Sequence, residues 1–392
     1  MASIIRIPVA AAGRSMVRHQ QNLSRIAKRL FHDCLRLTVL DLRVAGWSLL
    51  PVAKWILRLY RKYFPGRREN VGEMVPKVLV IGAGGFVGRH VVRLLRETEG
   101  VETVPATRDG AAGSRHLDLL SPETVEAALS GIDAVVHCAV GDRRVTVDGT
   151  RNLLSAAAGA GVRRIVVLSS VAVYAGGSGP LREDSQRVPV GTGSYAGWKL
   201  AAEDLCLGER RVESVLLRPT IIYGPGSVLW VDKMVARIRS GHWGTFGAAG
   251  DGTCNLVHVR DVATAVAAAL MAPGIAHRAF NLDGPEAMSW NDWFRRLAEG
   301  IGAPPLPELF PAQIRARSLL SLPFKAVDRL RPGLVPQWAL AAPAGSELAL
   351  FGRRTTYPID AAREALGWTP RIGVAEGLRD TLASLSPRAA AA

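Results

Sequence analysis

Four cysteines occur in 392 residues, and Cys34, Cys138, Cys206 and Cys254 form neither a Cys-x-x-Cys pair nor a Cys/His cluster with metal-ligand spacing. A disulfide framework and a structural zinc site are therefore not expected, and a reducing compartment is. Aromatic residues make up 6% of the chain. No basic stripe interleaves with them in the body, so nucleic acid is not an expected partner despite a net charge of +15. That charge is uneven. Residues 1–76 hold 14 Lys and Arg against four acids, and the first 32 contain no acid at all. The remaining residues, at 35 basic and 30 acidic, are close to balance.

The basic extension also lacks a long apolar run. Its longest uncharged stretch, residues 44–53, is ten residues with Pro51 inside it, far short of the roughly 20 needed to span a bilayer. It holds instead two helical-period stripes, Leu23, Ile26, Ala27, Leu30, Phe31, Cys34 and Leu35, then Val52, Trp55, Ile56, Leu59, Tyr60 and Tyr63, each with Lys and Arg on the other face. Two basic amphipathic helices are predicted. They suit contact with an anionic membrane surface through residues 20–65, or docking on the body or on a second copy in a homodimer. The acid-free start also fits a mitochondrial presequence, the alternative to a cytoplasmic, membrane-associated setting. Residues 65–70, PGRREN, read as a linker.

Beyond residue 76 the chain is α/β in pattern. Residues 77–88, KVLVIGAGGFVG, place a β-favouring run before Gly82, Gly85 and Gly88, with a helical stretch after them. Such a turn lets a pyrophosphate approach bare main chain at a helix N-terminus, so a nucleotide cofactor is expected. Apolar runs then alternate with helical segments at VETVPATR (101–108), HLDLL (116–120), DAVVHCA (133–139) and RIVVLSS (164–170), which predicts βαβ units and a parallel sheet with function at the strand C-terminal ends. Thr107 and Arg108 stand where an acid would hold the adenosine ribose hydroxyls of NAD. A guanidinium pairs with a 2′-phosphate that a carboxylate would repel, so NADP is favoured over NAD. Asp118, with Leu119 beside it, is placed to meet the adenine or else to act as a turn acid.

Tyr195 and Lys199 lie four apart in the helical pattern SYAGWKLAAEDLC and so share a face. An ammonium one turn from a phenol stabilises the phenolate, lowering its pKa from about 10 so that it can exchange a proton with an alcohol or ketone. The same ammonium can hold a nicotinamide ribose, and a nearby serine hydroxyl can orient the substrate oxygen. Ser169 and Ser170 end the apolar run 25 residues upstream of Tyr195.

These motifs together resemble the extended short-chain dehydrogenase/reductase superfamily, the NAD-dependent epimerase/dehydratase group. Gly82-x-x-Gly85-x-x-Gly88, the stretch LSSVAVY (168–174) and Tyr195-x-x-x-Lys199 carry the resemblance, and LRPTIIYGPG (217–226), NLVHVRDVA (255–263) and AAREALGWTP (361–370) extend it to about residues 76–385. It implies Tyr195 as acid/base, Lys199 as its partner and ribose holder, and Ser170, four before Tyr174, as the positioning hydroxyl. It further implies amides and packing from Phe86 and Val87, and backbone contacts from Ala139 and Pro219, to the cofactor. The implied fold is a doubly wound parallel sheet of Rossmann type over 76–225 with a smaller C-terminal substrate lobe over 226–385, residues 255–285 returning to the core, all behind a basic helical extension over 1–75.

Departures from the family's pattern narrow the substrate. Ile81 replaces a Thr before the first glycine, and Thr146 replaces an Asn, both local changes. Arg218-Pro219-Thr220-Ile221 stands where sugar-nucleotide epimerases have RYFN, and Val171-Ala172 where dehydratases have an acid pair. The segments Gly250-Asp251-Gly252 and SWNDW (289–293) look closer to the 3β-hydroxysteroid dehydrogenase and dihydroflavonol reductase branch. A Pro-, Leu- and Trp-rich stretch, 301–344, reads as an apolar lid or as a helical lobe with Arg315, Arg317, Lys325, Arg329 and Arg331 solvated. The resulting expectation is an NAD(P)-dependent oxidoreductase acting on a secondary alcohol or ketone of small-molecule size. The alternatives are a sugar-nucleotide epimerase with retained NAD and a non-catalytic cofactor-sensing module.

Overall fold

The computed structural model describes residues 76–111, 113–331 and 335–385. The expectations placed on residues 1–75 (two helices, membrane contact, targeting) and on Cys34 fall outside the described residues. The described residues fall in one compact unit.

Its centre is a seven-stranded parallel sheet. The strands are β1 (Lys77–Ile81), β2 (Glu102–Thr107), β3 (Arg115–His116), β4 (Ala134–His137), β5 (Arg164–Leu168), β6 (Glu213–Pro219) and β7 (Arg278–Leu282). They lie side by side in the order β7-β6-β5-β4-β1-β2-β3. The order reverses between β1 and β4, and the crevice at such a switch point is where a doubly wound sheet binds its ligand. Strand alternation sends Val78 and Val80 to one face and Leu79 and Ile81 to the other. Helices α1 (Phe86–Glu97), α2 (Pro122–Leu129), α3 (Gly149–Ala160), α4 (Tyr195–Gly208) and α5 (Val259–Met271) supply the covering. Val91, Val92 and Leu95 of α1 meet Val262 and Val266 of α5 on the first face. Leu153 and Leu154 of α3 and Cys206 of α4 close the second.

Several boundaries differ from expectation for local reasons. HLDLL shortens to Arg115–His116, because the Asp118 carboxylate accepts from Leu120 N at 2.9 Å and turns the chain toward α2. The expected helix over 147–160 is preceded by a wider π-turn, Arg144–Asp148, before α3 begins. RIVVLSS is strand only to Leu168, leaving both serines just beyond the sheet.

A second core draws mainly on residues that follow β6 in the chain. Trp243, Phe246, Trp290, Trp293, Phe294 and Phe351 pack there with tilted and edge-to-face rings. Trp290 opens α6 (Trp290–Gly300), which Ser289 and Asp292 start with a reciprocal capping box. The 301–344 stretch contains α7 (Pro311–Leu330). Its basic residues are not all solvated. Arg317 donates to the His242 carbonyl at 3.1 Å and Lys325 to that of Ala342 at 2.6 Å. Among the described residues no helix is long and apolar enough to cross a membrane.

Candidate active site

The glycine turn is set by close approach. Gly82 has φ +78, and a Cβ there would stand 2.9 Å from Ala139 N at the end of β4. A Cβ at Gly88 would collide with the Gly82 carbonyl oxygen, so the helix could not start so close to the strand. Gly85 is the N-cap of α1, and no side chain caps that helix. The first-turn amides, those of Phe86 and Val87, are thereby left for an anion, the arrangement that fits a dinucleotide's pyrophosphate. Ala139 borders this turn, and Pro219 is buried at the end of β6, opposite Leu282.

Beside the turn a cleft of about 510 Å³ is lined by Gly84, Thr107, Ser114, Arg89, Arg93 and Arg96. The Thr107 and Ser114 hydroxyls share a 2.8 Å hydrogen bond across it, and no carboxylate ends β2. Arg108 comes next, exposed to solvent. Asp118 spends one carboxylate oxygen on its own turn. Leu119 is a core residue whose carbonyl accepts from Asn152 Nδ2 at 3.0 Å.

The candidate catalytic residues are brought together by α4. Ser194 caps it by accepting from Gly197 N at 3.4 Å, which puts Tyr195 in the first turn with 43% of its surface exposed. Gly197 has its own reason, since a Cβ there would strike the Thr192 carbonyl. Lys199 lies one turn later, buried. Its Nζ donates to the Leu168 carbonyl at 2.7 Å, tying α4 to the end of β5, and lies 6.0 Å from the Tyr195 ring centroid. Ser170 stands two residues past Leu168. It caps the short turn Val171–Val173 by accepting from Ala172 N at 3.1 Å, and it stands near enough to the Tyr195 phenol to act on it. The hydroxyl of Ser169 is buried without a partner among the described residues.

Electrostatics depart from the simple expectation. Desolvation by the surrounding protein holds the Tyr195 phenol above its ordinary value, and the nearby Ser170 acts to lower it. Burial brings Lys199 down to about 8, while Cys138, Glu203 and Cys206 act to keep its charge. His137, at the end of β4, is pushed down to about 3 by burial and by Lys199, and is neutral. No group of three His, Cys, Asp or Glu side chains among the described residues could hold a metal ion.

Sequence reasoning missed what stands behind this set. Glu203, one further turn along α4, takes Arg218 in a two-pronged pair at 2.9 and 2.7 Å with both side chains buried. Arg218 also donates to Tyr174 Oη at 3.0 Å, and Tyr174 to Asn281 at 2.6 Å, so β5's exit, β6 and β7 share one polar network with the tyrosine helix. The spacing Tyr195, Lys199, Glu203 was visible as two successive four-residue steps. Asp283, at the end of β7, was also missed. Burial pushes it up to about 7 against hydrogen bonds from Thr220 Oγ1 and Gly284 N.

Residues 78–282 match the NAD dependent epimerase/dehydratase family. The chain is 26% identical over 340 residues to a 2-alkyl-3-oxoalkanoate reductase of Stenotrophomonas maltophilia, covering 79% of this chain and 99% of that one. It is 25% identical over 353 residues to 3beta-hydroxysteroid-dehydrogenase/decarboxylase isoform 2 of Arabidopsis thaliana, 79% of this chain and 62% of that longer protein. Among solved structures it resembles MoeE5 in complex with UDP-glucuronic acid and NAD, at a TM-score of 0.59 and 27% identity over 79% of this chain and 98% of the other.

Proposed function

The chain belongs to the NAD dependent epimerase/dehydratase family, and from that premise we propose that it is an NAD(P)-dependent oxidoreductase interconverting a secondary alcohol and a ketone. The observation that carries this reading is the Ser170, Tyr195 and Lys199 set at the exit of β5. When bound, NAD(P) gives or takes the hydride. Tyr195 passes its hydroxyl proton to the carbonyl oxygen during reduction and takes it back during oxidation. A phenol held above its ordinary value suits the donor role. Ser170, beside Tyr195, holds the same substrate oxygen, and charged Lys199 offsets phenolate charge as the proton leaves. The relatives acting on 3-oxoalkanoates and 3β-hydroxysteroids support an alcohol or ketone substrate.

NADP is the favoured cofactor on one local ground. Thr107 ends β2 without an acid and exposed Arg108 follows it, near a cleft lined by Arg89, Arg93 and Arg96 with the single acid Glu97. Calorimetry should show Arg108→Glu moving the ratio of NADP to NAD affinity toward NAD by at least about tenfold. An unmoved ratio removes Arg108 from cofactor choice.

Tyr195→Phe should lower turnover of a ketone panel by about 10²- to 10⁴-fold while leaving the cofactor dissociation constant in place. Unchanged turnover would sink the reading. The second reading, sugar-nucleotide epimerisation, is favoured by the likeness to a protein that holds UDP-glucuronic acid and NAD. Acid extraction of the purified protein separates the two. An epimerase retains stoichiometric NAD through purification, and an exchanging dehydrogenase does not.

A further inference from the structure

The helix α7 is built inside out. Its twenty residues, Pro311–Leu330, extend about 30 Å. The side turned to solvent carries Leu319, Leu320, Leu322, Val327 and Leu330, at 67%, 62%, 60%, 47% and 84% exposure. Ala312, Ala316, Pro323 and Ala326 fill the same exposed face. The side turned inward carries Arg317, Ser318 and Lys325, hydrogen-bonded to the carbonyls of His242, Pro343 and Ala342. Ile314 is buried near the helix start, and Phe324 packs edge-on against Trp338 at 5.4 Å. Three polar anchors and these two apolar contacts therefore fix the helix's roll, and the leucines face outward because the polar side is held.

An apolar face of that length, left uncovered by the other described residues, implies an occupant. Arg315 and Arg331 are exposed at its margins, and Asp328, the helix's single acid, is half-buried and partnered. The rim is thus cationic. A second copy related by a two-fold axis would bring those arginines toward one another, like charge against like charge. An anionic lipid surface instead receives the leucines at its acyl boundary and the arginines at its headgroups, as a helix lying in the interface does. We propose that the outward face of α7 docks this protein on an anionic bilayer, independently of the reaction it catalyses and of the basic residues 1–75.

The full chain is tested against vesicles of phosphatidylcholine and phosphatidylglycerol in about a 2:1 ratio. L319Q/L322Q/L330Q changes exposed positions, and its circular dichroism and melting should match the parent. Its partition onto the vesicles should fall at least about tenfold. In the parent, vesicles should slow hydrogen exchange across residues 311–330, and in the variant they should not. Arg315→Gln should weaken binding to these vesicles by about fivefold while leaving weak binding to pure phosphatidylcholine unchanged. Equal partition of parent and variant, with α7 exchange unaffected by lipid, would assign lipid binding to residues 1–75 and overturn the proposal. So would a parent dimer in sedimentation velocity that the triple variant converts to monomer, since the occupant would then be a second copy.

Discussion

Two regions of this protein break the rule of apolar inside and polar outside, and they break it in opposite directions. Behind the tyrosine helix α4, Glu203 and Arg218 bury a full ion pair, 1% and 3% exposed at the side chains, and extend it through Tyr174 to Asn281. On α7 the leucines stand in solvent and the polar groups point inward. The first inversion is resolved inside the chain, because each of those buried groups has a partner with good geometry. The second is not resolved by any described residue. A polarity inversion therefore means different things according to whether its partners are present. Satisfied, it fixes register and orientation; unsatisfied, it points outside the chain.

The largest way to break that comparison is to remove one half of the buried pair. Glu203→Met or Arg218→Met leaves the other residue's charge stranded in the interior, a loss of about 3–5 kcal/mol. Urea unfolding monitored by tryptophan fluorescence measures it. Glu203→Met combined with Arg218→Met removes both charges and should cost clearly less than the two single changes added together, since a hydrophobic replacement of a buried pair is often tolerated. Additive losses would mean that the two residues contribute separately and that the network is not a unit. The double variant also reports on function. If the pair sets the pitch of α4, the variant should lose more in kcat than in substrate KM, because Lys199 and Tyr195 sit on the same helix one and two turns before Glu203.

Smaller in size is the cost of protonating the core beside the site. His137 is held neutral at about 3 in the folded protein, against 6.5 when exposed. Below pH 6.5 the unfolded chain therefore binds a proton that the folded chain refuses, and stability is lost as pH falls from there toward 3. Between pH 6.5 and 5 this amounts to about 2 kcal/mol from His137. His258, brought down to about 4 by burial and by Arg260, adds to the same slope. His137→Phe should flatten the urea midpoint over that pH range, and a slope identical to the parent's would show that the imidazole is not neutral in the folded state. No comparable slope arises from the outward face of α7, where the exposed residues carry no titrating group in that range.

How far each region is legible in the sequence obeys the same division. The glycine turn is legible because backbone collision forces it: Gly82 and Gly88 leave no room for a Cβ, and that constraint is written in residue type alone. Tyr195 and Lys199 are legible because helical period puts them on one face. The elevation of Tyr195 is not, since it depends on how much protein surrounds the phenol, and Lys199 gives its hydrogen bond to Leu168 rather than to the ring. Arg218 reads in sequence as the first residue of a loop motif rather than as the partner of Glu203, because fifteen residues and a change of element separate the two. The inversion of α7 is hidden for a related reason. Leucine and arginine at helical spacing fix two faces but not which one turns inward, and here the choice is made by carbonyls at His242 and Ala342, 75 and 17 residues away in sequence.

The finest test compares two neighbours on α7 itself. Arg317→Ala removes a hydrogen bond from a charged donor to the His242 carbonyl and should lower stability by about 1 kcal/mol, read from the urea midpoint. Leu319→Gln, two residues on but facing out, should change it by less than about 0.5 kcal/mol. In an ordinary amphipathic helix the order is reversed, with the leucine costly and the arginine free. Finding Leu319→Gln more damaging than Arg317→Ala would mean that α7 is rolled the other way in solution, and with it would go the apolar face offered to a bilayer. Finding the stated order fixes the roll, and leaves the exposed leucines without a role in holding the fold.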